Sequence, residues 1–191
     1  APAAQLPALL EAYRSGDGVS WDQLGPDARE SQADMNRPWF EQRLGPALAA
    51  RARSGMRALI LEQPTLPGTL SEDLRLWPSF SRSRENAVVL APDHPLLLGL
   101  SRDEGTGFFG ASPAGIRPLL PPTRGNFRII AQERLRSGPS WQEGVRVLEF
   151  VIGDGVVLMA QSSLCSDYGR DPRARILLAN ALAYLLGERP G

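Results

Sequence analysis

The sequence predicts an α/β fold, and three local patterns carry that expectation. A helical apolar pattern stops at Gly55 and gives way at once to a nearly continuous apolar run, "MRALIL". Further along, "VRVLEFVIGDGVVLMAQ" reads as two β-rich runs joined through Gly153-Asp154-Gly155, residues that suit a hairpin turn. It is followed by "DPRARILLANALAYLL", an apolar helix with Asp171 as N-cap and Pro172 in the first helical position.

Taken in order, residues 6–14 read as a helix, followed by a polar passage through Gly16, Asp17, Gly18 and Gly25 that has neither helical nor strand period. Residues 1–37 are therefore expected to be a lead-in packed on a domain spanning 38–191. Trp39, Phe40, Leu44, Leu48 and Ala52 recur at helical spacing, with a break or kink expected at Gly45-Pro46. The run 56–61 has the composition of a strand buried on both faces. Residues 63–85 read as loop with a short helix around 71–76, and 87–90 as a second short strand ended by Pro92. A long irregular stretch, 93–125, reads as a surface excursion, and 127–131 resumes as a strand. On the last helix, Asn180 is a polar residue on an otherwise apolar surface, suited to bonding a buried loop backbone.

A chain of 191 residues is long enough for one full core. Its 21 basic residues balance 21 acidic ones, so no net field draws it to nucleic acid or an anionic bilayer. Lysine is absent and every basic residue is arginine, which reads as a compositional bias. No apolar run approaches the ~20 residues that span a bilayer. One cysteine and one histidine exclude an internal disulfide and the usual structural zinc sets, and no cofactor motif is present. The start, "APAAQLPALL", fits a chain cleaved after a signal or a piece of a longer protein, leaving secreted, periplasmic and cytoplasmic locations open.

The hairpin with its Gly-Asp-Gly turn, "VVLMAQ" and the final helix together resemble the last part of class I glutamine amidotransferase-like domains attached to bacterial glycoside hydrolases, including some β-galactosidases. "GMRALILEQ" is similar to that domain's strand ending in LEQ, and "DHPLLLGL" to its HP-L-x-GL segment. The resemblance runs from about Trp39 to Leu186. It implies a flavodoxin-like three-layer sandwich: a mainly parallel sheet with helices on both sides, a late antiparallel hairpin and a C-terminal helix. It also implies a first buried strand ahead of Met56, which residues 1–36 do not display. In such hydrolases the catalytic carboxylates lie in a separate barrel, and this domain serves assembly or shapes the sugar cleft. The expected partners are thus a carbohydrate or a glycoside hydrolase catalytic domain, with self-association left open.

Catalysis in the chain itself is not expected. A working amidotransferase needs its thiolate on a glycine-flanked strand-to-helix elbow, yet Cys165 sits between Leu164 and Ser166 with no glycine within three residues. His94 lies far upstream, and no histidine follows the cysteine. Cys165 is accordingly read as a small apolar filler at a strand end. Ser163 and Ser166 lack the G-x-S-x-G context, Glu149 lies in a strand and Asp171 caps a helix. Two rival readings remain: a free-standing secreted or periplasmic protein that binds a sugar or a partner through residues 93–125, and a hydrolase using Cys165 or a serine. Asp93-His94-Pro95 follows a strand end, where α/β sheets take ligands, but it also fits a turn. Trp77, Phe108, Phe109 and Trp141 fall in or beside expected loops, where an exposed ring stacks on a sugar. The ligand-binding candidates are Trp141, Asp93, His94 and Phe108, with no catalytic and no metal residues.

Overall fold

In the computed structural model of the chain, which describes residues 45–63, 75–77, 85, 87–112, 116–137 and 139–187, the first element is helix α1, Gly45–Arg53. Gly45 and Pro46 are the first described residues of this helix, and the expected break or kink there involves preceding residues that lie outside the described ones. Gly55, at φ 95°, ends it: Gly55 N–H donates to Ala52 and Met56 N–H to Arg51, the paired bonds of a Schellman closure. The expected helix at 6–14, the start of the helix at 38–44, and most of the expected helix at 71–76 lie outside the described residues.

Among the described residues five strands follow: β1 (Arg57–Ile60), β2 (Val88–Val89), β3 (Asn126–Ser137), β4 (Ser140–Ile152) and β5 (Gly155–Ala160). They form one sheet in the order β1-β5-β4-β3-β2. Only β1 and β5 pair in parallel; the other three pairs are antiparallel, so the fold is α/β with a mixed sheet where a mainly parallel one was expected. The difference comes from the middle of the chain. Strand β3 continues well past residue 131, and β4 begins at Ser140, so the two make a long hairpin around residues 138–139. Its outward residues Arg134, Arg136, Gln142 and Glu143 are polar, which is why the sequence there reads as loop. Strand β1 supplies Ala58 and Ile60 to one face and Leu59 and Leu61 to the other, as its apolar run predicts. It is half-buried rather than enclosed, since it ends the strand order.

Helices cover both faces. Val157 and Met159 pack with Leu48 and Ala52 of α1, whereas Leu158 and Ala160 pack with helices α2 (Arg102–Gly110) and α4 (Pro172–Leu186). Helix α2 lies inside the stretch expected to be irregular, along with a 3-10 turn at Pro95–Leu97. Three glycines weaken its helical pattern, but a cap signal is present. Ser101 and Glu104 form a reciprocal capping box, and Gly105 lets α2 approach Val89 and Leu97 closely. A four-residue helix α3 (Leu164–Asp167) leads to α4, whose N-cap is as expected: Asp171 accepts from Arg173 N–H; at the other end Gly187 closes the helix at φ 77°. No helix among the described residues is long and apolar enough to cross a membrane.

The turn between β4 and β5 has positive φ at Gly153 only (61°), the pattern of a type II′ hairpin. Gly155 is needed for space: a methyl group there would meet the carbonyl oxygens of Ala52 and Met56, where α1 gives way to β1. Gly155→Ala is therefore expected to cost about 2 kcal/mol or more through overpacking against backbone that cannot swing aside. A urea unfolding midpoint equal to the parent's would show that α1 does not press on the hairpin.

Candidate functional site

Beyond β2 the chain turns, with His94 N–H bonded to Ala91 O at 3.1 Å, and His94 becomes the N-cap of the 3-10 turn. Its Nδ1 accepts the Leu96 N–H at 3.1 Å, so that nitrogen carries a lone pair and the ring proton sits on Nε2. Nε2–H donates to Glu149 Oε2 at 3.1 Å, and the Tyr184 hydroxyl donates to the same oxygen at 2.5 Å. The two rings meet edge to face with centroids 5.1 Å apart. Asn180, one turn before Tyr184 on α4, donates to Leu96 O and Leu98 O at 3.0 and 2.7 Å, the buried-loop role its sequence position predicts. The 93–98 turn, strand β4 and helix α4 are thus tied through one carboxylate and one amide.

The charges follow from this geometry. The hydrogen bond from His94 holds the Glu149 carboxyl below its ordinary range, against burial that pushes it up, and Tyr184 adds to the lowering. Burial, then the Glu149 bond and charge, push the Tyr184 hydroxyl up to about 12. The cluster therefore holds an ionised carboxylate beneath a protonated phenol. At the rim, Arg128 Nη2 contacts both oxygens of Asp93 at 2.7 and 2.9 Å, an exposed pair that adds little stability.

A second polar group lies at the C-terminal ends of β1 and β5. The β3–β4 ladder passes from Ile129↔Leu148 to Ala131↔Val147 to Gln132↔Val145, leaving Ile130 and Arg146 unmatched in a bulge. Arg146 is fully buried there. It donates to Glu133 at 2.6 Å and to the carbonyls of Ile116 and Gln161 at 3.0 and 2.9 Å. The Gln161 side chain pairs both ways with the Gln63 backbone, at 3.0 and 3.1 Å, adding a rung beyond the β1–β5 ladder.

The four expected ligand residues do not converge. His94 is 2% exposed with both nitrogens engaged, so it belongs to the turn reading and has no nitrogen left for a ligand. Asp93 is at the surface but committed to Arg128. Phe108 is not in a loop as expected: it lies in α2, 1% exposed, with the Arg173 guanidinium 5.7 Å from its ring centre. Trp77 and Phe109 are likewise buried. Trp141 keeps an exposed ring, 38% accessible, near the tip of the β3–β4 hairpin with Arg134 over it at 5.7 Å. It sits toward the opposite end of β4 from Glu149.

Cys165 is also corrected. It is exposed on α3 rather than packed as filler at a strand end, because the chain leaves the sheet at Gln161 and turns outward. Burial around the sulfur, with the charge of Glu62, still pushes its thiol up, the opposite of what a nucleophile requires. Sequence reasoning passed over Glu149 and Tyr184 as site residues. Two signals were available: Glu149 falls between Val147 and Val151 on an inward face, and Tyr184 lies four residues after Asn180 on an apolar helix. Among the described residues no group of three or more His, Cys, Asp or Glu is placed to hold a metal ion. Set against protein-family models and against curated proteins, the chain matches none of them.

The stability contributed by Glu149, whose folded value is lowered, is complete above the ordinary carboxylate range and lost as pH falls through that lowered value. For Tyr184, raised to about 12, it is complete below the ordinary tyrosine range and lost as pH rises toward 12. Tyr184→Phe should cost about 1.5 kcal/mol at neutral pH, the scale of a hydrogen bond to a charged group. It should also flatten the alkaline fall of the urea midpoint. An alkaline limb identical to the parent's would show that the phenol does not clamp α4 to β4.

Proposed function

We propose that this domain is a non-catalytic, amidotransferase-like accessory module of a carbohydrate-active enzyme, acting in assembly or in completing a sugar-binding surface. The observation that carries the first part is the engagement of His94: one nitrogen accepts from Leu96 N–H and the other donates to Glu149, so the sole imidazole is not a base for Cys165 or for any serine. The raised thiol of Cys165 weighs against the rival hydrolase in the same direction.

The parallel β1–β5 pair, the late β4–β5 hairpin, the capped α4 and the helices on both faces support a flavodoxin-like three-layer arrangement of the kind the resemblance implies. The carbohydrate association rests on that resemblance and on the exposed Trp141 ring, which offers a face for the C–H surface of a sugar. The partner under this reading is a glycan, or the catalytic domain of a glycoside hydrolase.

The purified domain is expected to release neither ammonia from glutamine nor chromophore from nitrophenyl glycosides. Tryptophan emission should respond to millimolar oligosaccharide in the parent and stay flat in Trp141→Ala. Turnover abolished by Cys165→Ala or by His94→Gln would overturn the non-catalytic reading. A sugar response unchanged in Trp141→Ala would remove that ring from the binding surface.

A further inference from the structure

Two serine hydroxyls remain outside the clusters described above. Ser162 and Ser163 follow Gln161 directly, are 0% and 1% exposed, and their Oγ atoms have no hydrogen-bond partner among the described residues. A buried hydroxyl without a partner is destabilising, and two in succession require an explanation. Just before them the chain is held at Gln161, by Gln63 on one side and Arg146 on the other. Ser163 even occupies the N-cap position of α3 without making the cap bond that a serine there usually makes. Both lie at the C-terminal ends of the parallel strands, where α/β sheets take their ligands.

From this arrangement we propose that the C-terminal ends of β1 and β5 form a binding site for a neutral, polyhydroxylated ligand of the oligosaccharide class, centred on Ser162 and Ser163. The class follows from the surroundings. The one buried cation nearby, Arg146, is matched by Glu133, and Glu62 lies close enough to Cys165 for its charge to act on the thiol, so the local field disfavours anions. Each serine hydroxyl both donates and accepts, as each sugar hydroxyl does. Tyr168, 50% exposed just after α3, supplies a ring of the type that stacks on sugars. The segment 165–170, exposed apart from a half-buried Asp167, covers the two hydroxyls in sequence and would have to give way for a ligand to reach them. The sugar class rests on the carbohydrate reading above, while the location rests on the unpartnered hydroxyls alone.

The test compares the parent, Ser162→Ala/Ser163→Ala and Trp141→Ala in amide and indole NMR titrations with lactose and with cellobiose, together with thermal melts without sugar. The expected result is sugar-induced shifts in the amides of residues 161–168, retained in Trp141→Ala and weakened about tenfold or more in the double serine variant. Without sugar the double variant should melt about 2–4 °C higher, because methyl groups remove two unpaired hydroxyls. Shifts confined to the Trp141 indole would overturn this site and leave the carbohydrate reading standing. No shift with either sugar would overturn both. A lowered melting temperature in the double variant would show that the hydroxyls are bonded within the fold, which also overturns the site.

Discussion

A carboxylate moved out of water needs donors aimed at it, and Glu149 obtains two, one from a turn and one from a helix that are far apart in sequence. The other contacts of this face are arranged around that requirement. With Glu149 fixed in β4, His94 must hold its proton on Nε2, which leaves Nδ1 to accept Leu96 N–H and begin the 3-10 turn. The turn then presents the carbonyls of Leu96 and Leu98 to Asn180, one helical turn from Tyr184. Removing either donor would leave the charge partly uncompensated, a larger penalty than the loss of one neutral hydrogen bond. Both ring nitrogens of the lone histidine are thereby engaged within the fold.

A few residues earlier on β4, the bulge in β3–β4 organises a second buried charge. Where β5 departs at Gln161, the next rung of β4 is taken by Leu119, which exchanges bonds with Val145 on one side and forms a bridge with Leu76 on the other. Arg146, freed from the ladder, fills the junction and satisfies two carbonyls that would otherwise be stranded, its charge balanced by Glu133. A buried pair of this kind is a weak source of stability, but it fixes where the two segments meet β4.

What the sequence made legible is what local chemistry decides. Asp171 and Pro172 mark the start of α4, and the Gly153 turn delimits β4 and β5, because caps and turns are chosen by residues within a few positions of one another. Strands β3 and β4 were only partly legible, since their far ends pair with each other and face water, so that arginine, glutamine and glutamate replace the apolar alternation that marks a strand. The polar cluster was illegible for a different reason. His94, Glu149 and Tyr184 each have an ordinary local explanation as turn, strand and helix residues, and only the tertiary arrangement places them together.

The register that pairs Arg57 with Val156 also sets an order of events. Strands β3, β4 and β5 are joined by short hairpin turns and can associate early, whereas β1 must wait for a strand that arrives nearly the whole fold later. During synthesis β1 leaves the ribosome well before β5, its partner among the described residues, so this pairing has a long loop to close.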